Sequence, residues 1–294
     1  MSVSSKFVLQ QRHILAGMGR TLALGLKQKV LPGTSELVVP GPVFRDRLEP
    51  RPAGLLDAYV RNIGGDPEAY RTTLPPHMWP QFGFHLAART LESAPYPLLK
   101  VINAGARLEI HEPLPVDERL EVTAQLVDVD ETDTRVILHQ VVHVSTRSAP
   151  AGLHGHLSAF VPLARKRGGS GKRDRPLAPE DATEVGRWRA TDDAGLDFAK
   201  LTGDFNPIHW LGPYARAAGF PRPILHGFAT KARTFETLAA ADRRPRVLDV
   251  RFTRPLVLPC DVGVYVRGDE VYVADRPGGE AYLTGTFETD AEHG

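Results

Sequence analysis

From Leu196 to Phe228 the chain reads LDFAKLTGDFNPIHWLGPYARAAGFPRPILHGF. Gly203 is followed by Asp204, Asn206 and Pro207. That combination makes a tight polar turn, because Asp and Asn side chains bond their own backbone and Pro fixes φ. His209 comes five residues after Asp204. On a compact loop both side chains converge on one small volume, whereas on a helix face this spacing would separate them. The pair supplies a carboxylate and the side chain whose unperturbed pKa lies nearest neutrality. His226-Gly227-Phe228 then opens a long helix. A glycine there lets a ligand approach the backbone, and a helix N-terminus offers unpaired N–H groups with positive partial charge. Each of these residues alone has a purely structural use as turn-former, cap or packing group. Together they set an acid/base pair beside an oxyanion-type donor, which is a catalytic arrangement.

Outward from this stretch, composition and alternation predict a short helix at Asp197–Thr202 and a long one at Phe228–Ala241. Strands are predicted at Val247–Thr253, Gly263–Arg267, Val271–Ala274 and Tyr282–Glu288. The first half carries a matching pattern. A helix is predicted at Phe84–Ser93, flanked by Pro80 and Pro95, with strands at Leu120–Val129, Thr134–Ser145 and Leu153–Leu163. The residues repeat as well: GFHLAARTLES (Gly83 to Ser93) aligns with GFATKARTFET (Gly227 to Thr237). Each helix leads to an Arg-containing strand and a Pro-Leu, at Arg107 to Leu114 and at Arg251 to Leu256. A duplicated α+β unit, each copy a helix laid on an antiparallel sheet, accounts for this. Between the copies, Ala164 to Arg175 (ARKRGGSGKRDR) is basic, Gly-rich and without apolar period, the pattern of a solvated tether. The expected units are therefore residues 1–164 and 180–294, joined by a basic linker at 165–179. GGSGK within it is not a phosphate loop, because Lys166 and Arg173 occupy the positions that need Gly and Ser or Thr.

With 294 residues the chain can bury about 75% of its unfolded surface, so no disulfide or structural metal is needed. The balance of 36 Lys+Arg against 35 Asp+Glu leaves a formal charge of +1. That argues against nucleic acid as a partner. Cys260 is the single cysteine, which excludes an internal disulfide and suits a reducing, cytoplasmic setting. Ile14–Leu26 is interrupted by Arg20, is too short to span a bilayer and lacks a cleavage-site pattern. An amphipathic first helix burying Leu22, Leu24 and Leu26 is expected there, with no membrane partner. His139, His143, His154 and His156 lie in strand patterns and are expected to face solvent, with no metal ligated.

GDFNPIH, an Ala-rich helix, Gly219-Phe220 and PILHGF (Pro223 to Phe228) together resemble the MaoC-like family of (R)-specific enoyl-CoA hydratases. The resemblance implies the double hot-dog fold, an α+β architecture of two antiparallel sheets each wrapped around a long central helix. It implies Asp204 and His209 as the pair that activates water, and the Gly227 N–H as donor to the thioester oxygen. Asn206 and His226 would support the loop, and no cofactor is implied. The sequence departs from the family's commonest form at Trp210-Leu211-Gly212, which puts acyl-chain preference in question. Arg222, Phe228 and Trp210 are the candidate substrate contacts, and Arg216, Arg243 and Arg244 are further candidates for CoA phosphates. In the first half, Asp57–Pro67 matches Asp197–Pro207, but Gly64 stands for Asp204, Ala69 for His209 and Phe82 for His226. One active site per chain follows, with the first unit lending apolar residues such as Phe84, Leu86 and Leu91 to an acyl chain. The expected reaction is hydration of trans-2-enoyl-CoA to the (3R)-3-hydroxyacyl-CoA, or the reverse. A 3-hydroxyacyl-ACP dehydratase, a non-catalytic acyl-CoA-binding subunit and a thioesterase remain open on the same residues, as does a homodimer.

Overall fold

The computed structural model describes residues 2–12, 14–16, 19, 37–96, 101–163 and 175–290. Most of the basic tether and the residues Leu22, Leu24 and Leu26 of the expected first helix lie outside these. Among the described residues, ten strands form one antiparallel sheet: β1 (Phe44–Leu48), β2 (Ile102–Ile110), β3 (Leu120–Thr132), β4 (Arg135–Ser145), β5 (Leu153–Pro162), β6 (Thr183–Ala190), β7 (Pro245–Phe252), β8 (Cys260–Arg267), β9 (Glu270–Ala274) and β10 (Leu283–Thr289). Their order is β1-β3-β4-β5-β2-β7-β10-β9-β8-β6. Each half therefore has the same internal order, read inward from opposite edges, and the halves meet where β2 pairs with β7, Gly105 opposite Arg251 and Leu108 opposite Leu248. Such symmetry is what duplicating one unit produces. The expected pair of sheets is realised as two five-stranded halves of one continuous sheet.

Each half carries its helices in matching places. α1 (Ala53–Asn62) and α2 (Trp79–Thr90) precede β2, while α3 (Ala194–Thr202), the short α4 (Gly212–Ala217) and α5 (Gly227–Ala240) precede β7. α2 packs on β1, β3 and β4, and α5 packs on β6 and β7. α5 is buried nearly all round, with Phe228, Ala232, Phe235 and Leu238 inside together with Thr230 and Thr234. A helix enclosed in this way has no solvent face on which to put polar groups. Its threonine hydroxyls instead bond carbonyls one turn back, Thr234 Oγ1 to Thr230 O at 2.9 Å. These two central helices and the inner faces of both half-sheets share one hydrophobic cluster. The fold is a double hot dog.

α2 begins at Trp79, five residues before the predicted start at Phe84, because Pro80 sits inside its first turn. Proline costs nothing there, since the first helical amides have no intrahelical acceptor. Pro176 to Ala178, placed by sequence within the tether, are already built into the second half. Leu177 bridges Glu280, and Ala281 N–H donates to the Pro176 carbonyl. Among the described residues, no helix is long and apolar enough to cross a membrane.

Candidate active site

α3 stops at Gly203, whose φ of +82° suits glycine and few other residues. Three local turns then follow in series. Thr202 Oγ1 accepts from Asp204 N–H at 3.4 Å, Asp204 Oδ1 from Asn206 N–H at 3.3 Å, and Asn206 Oδ1 from Ile208 N–H at 3.3 Å. Asn206 thereby caps the single 3-10 turn Pro207–His209. The first half has the same plan: α1 is followed by Gly64 at φ +87°, and Asp66 caps the turn Pro67–Tyr70. Two glycines, Gly64 and Gly65, precede that cap where Asp204 and Phe205 precede Asn206.

His209 is buried, and its Nδ1 lies 2.8 Å from the Ile224 carbonyl. A carbonyl only accepts, so Nδ1 carries the proton and Nε2 is left with the lone pair. Burial pushes the His209 pKa below its ordinary value, against the pull of the Asp204 carboxylate and the Ile224 carbonyl. His226 is fully enclosed, and burial, with His209 beside it, pushes its pKa down to about 3. Its Nε2–H donates to the Asp204 carbonyl oxygen at 3.0 Å. The two imidazoles stack at 3.6 Å and 24°, and Ile224 N–H closes on the Ile208 carbonyl at 3.2 Å. The 204–209 loop and the segment leading into α5 are thus clasped reciprocally, each histidine bonded to the other segment's backbone. The Asp204 carboxylate stays partly open to solvent, 3.9 Å from His226 Nε2.

Asp204, His209 and His226 each bring a ligand atom within 4.8 Å of the others, so they are the residues here that could gather round a cation. Face-to-face stacking directs ring planes, not lone pairs, at one another, which does not suit tetrahedral coordination.

Gly227 is the first residue of α5, and no side chain caps that end. Its amide and those following keep the open donors of a helix start. A Cβ at Gly227 would lie 2.7 Å from the Phe252 ring, so only glycine fits there. Phe228 and Asp204 line a narrow crevice running between the two halves. Ile14, Tyr59, His77 and Phe84 form its far side. Phe84 is where the sequence places it, whereas Leu86 and Leu91 are core residues of two different clusters. Sequence reasoning misses Ile14, Tyr59 and His77. They reach Asp204 only through folding, over more than a hundred residues of chain, and no local motif marks them.

The remaining candidates lie further out. The Trp210 indole N–H braces the loop by donating to the Phe205 carbonyl at 3.1 Å. Arg222 is exposed and ion-paired with Asp192, and Arg216 is exposed on α4. Arg244 stacks 5.1 Å from the centre of the Tyr70 ring, over the interface between the halves. Gly83, which matches Gly227, is the fifth residue of α2, past the turn whose amides are open.

The whole fold places the chain among double hot-dog proteins. It aligns over 84% of its length with all of the crystal structure of HtdX from Mycobacterium tuberculosis (TM-score 0.68, 21% identity). A second protein of that organism, described as having a double hot-dog fold, aligns over 85% of this chain and 96% of its own at TM-score 0.55 and 13% identity. Residues 176–276, about a third of the chain, match the MaoC like domain family. It is 31% identical over 179 residues to the enoyl-CoA hydratase ChsH3 of Mycobacterium tuberculosis, a match covering 56% of this chain and 61% of that enzyme.

Proposed function

We propose that the protein is a hydro-lyase that adds water to a trans-2-enoyl thioester, giving a (3R)-3-hydroxyacyl thioester, or runs the reverse reaction. One observation carries this reading: His209, with Nδ1 bonded and its Nε2 lone pair left over, stands beside Asp204, and Asp204 lines an apolar crevice that also meets the uncapped start of α5. The likeness to an enoyl-CoA hydratase over the matched stretch supports it. The thioester carbonyl lies at the Gly227 N–H, where the helix dipole also favours negative charge. One preorganised donor of this kind is worth roughly 3–4 kcal/mol in the transition state. A water held between Asp204 and His209 gives its proton to His209 Nε2 while its oxygen bonds to Cβ, and the π electrons move onto the thioester oxygen as an enolate. The enolate collapses as Cα takes one proton from the pair, which returns to its starting state. The atoms of one water are thereby added across the double bond.

The acyl chain runs along the crevice toward Phe84 and Phe228, so the first half contributes a wall and the second half the chemistry. CoA is the proposed carrier, and the site is one per chain, because Gly64, Ala69 and Phe82 offer no acid or base in the first half. The cytoplasm is the proposed compartment. Loss of enoyl absorbance with short- and medium-chain trans-2-enoyl-CoA tests the reading. Asp204→Asn and His209→Ala are each expected to lower kcat/KM by roughly 10²–10⁴-fold, and chiral analysis to return the (3R) product. A folded protein without turnover at any chain length, or with full turnover in both variants, would reject it.

A further inference from the structure

On the outer face of the first half-sheet, remote from the crevice, three histidines and a carboxylate converge. Glu109 on β2 stands directly opposite His154 on β5, and His154 directly opposite His143 on β4. His111 follows β2 by one residue, its amide fixed on the Gly152 carbonyl at 2.9 Å. His111 Nε2 is 3.4 Å from Glu109 Oε2. The His154 ring centre is 4.8 Å from that of His111 and 4.7 Å from that of His143. Glu109, His111 and His154 each offer a ligand atom within 4.8 Å of the other two.

We propose that Glu109, His111 and His154 form a binding site for a divalent transition-metal ion of the zinc class. Bonds of about 2.0–2.1 Å in a tetrahedron separate neighbouring ligand atoms by about 3.3 Å. The His111–Glu109 distance already matches this, and a small swing of the His154 ring completes it. Two imidazoles and one carboxylate favour zinc, cobalt or nickel over the oxygen-seeking magnesium and calcium. The carboxylate is oriented from behind, as metal-bound carboxylates are: Glu109 Oε1 accepts from Arg107 Nε at 2.6 Å, leaving Oε2 toward His111. Solvent-facing strand histidines explain each residue singly but not their convergence on one carboxylate. The fourth position falls to water or to His143. Because inner and outer faces alternate along β2 and β5, the ion lies across the sheet from the helices and leaves turnover unchanged.

Zinc binding by the untagged full chain, followed by calorimetry and by metal analysis after dialysis, tests the site. One equivalent is expected in wild type, weakened at least tenfold in His154→Ala and in Glu109→Gln and unchanged in His139→Ala. Cobalt substitution should give the intense visible band of tetrahedral coordination, lost in the same two variants. Circular dichroism checks that both remain folded. The proposal is overturned by the absence of saturable binding below on the order of 100 μM zinc, or by an equivalent that survives His154→Ala and disappears in His209→Ala.

Discussion

At His209 the two ring nitrogens are unlike: Nδ1–H is held by a carbonyl and Nε2 keeps its lone pair. Nδ1–H donates a hydrogen bond to the Ile224 carbonyl, so on the proposed reaction Nε2 takes the proton of water. Burial lowers the His209 pKa, and the neutral form, which the proposed reaction uses, therefore persists below the ordinary histidine value of about 6.5. The acid limb of kcat/KM against pH is expected to bend below that value. A limb centred at or above it, or one left intact in His209→Ala, would take His209 out of the base role. The residues of this loop were legible because their bonds are local: Asp204, Asn206 and His209 lie close in sequence, in turns that close on themselves. The stacking of His226 on His209 was not, because it depends on how two separate loops are clasped.

For the helices, the start of α5 is where geometry is tightest. At the first position of a helix, alanine is ordinarily as good as glycine or better. At Gly227, however, three atoms of the Phe252 ring would lie within 2.9 Å of an added Cβ. Gly227→Ala is expected to lose about 1–3 kcal/mol of stability through overpacking and to lower kcat as the amide moves off the thioester oxygen. Gly212→Ala at the start of α4 serves as comparison: its Cβ would meet only the end of the Arg216 side chain at 3.5 Å. Urea titrations and turnover of both variants check this, and equal behaviour of the two would argue against the tight seat. The sequence marks α5 within a residue at each end, since its apolar run is bounded by His226-Gly227 and by polar residues. It misjudges α2, where Pro80 looks like a boundary and is instead a first-turn residue.

Across the whole molecule, the interface between the halves gathers buried ionisable groups. His77 donates through Nε2 to Glu236 Oε1 at 2.7 Å, and Tyr59 OH lies 3.1 Å from His77 Nδ1. Burial pushes the pKa values of His77, His209 and His226 down, that of His226 to about 3. The folded chain therefore holds these histidines neutral at a pH where the unfolded chain protonates them. Unfolding takes up protons below about pH 6.5, each such group removing up to about 1.4 kcal/mol of stability per pH unit of acidification. The effect of His226 continues down to about pH 3. For Glu236, burial raises the pKa, but the hydrogen bonds from His77 and Tyr70 outweigh it and leave it lowered. Its contribution is lost in the same direction, as pH falls through the carboxylate range. The urea midpoint is expected to drop as pH falls from about 6.5 to about 5, and a flat profile would mean that these histidines bind protons as readily in the folded chain as in the unfolded one.

The sequence by itself determined the duplicated unit, the long helix of the second half, the polar turn with Asp204 and His209, and the glycine at the helix start. All of these rest on spacing and local backbone chemistry, which a linear string carries in full. Only the tertiary structure decided that β2 and β7 join the halves into one sheet, that Tyr59, His77 and Ile14 complete the crevice, and that His111 reaches Glu109 and His154 on the outer face. These depend on which residues oppose one another across strands and between halves. Register and packing set those pairings, through contacts between positions that no local pattern connects.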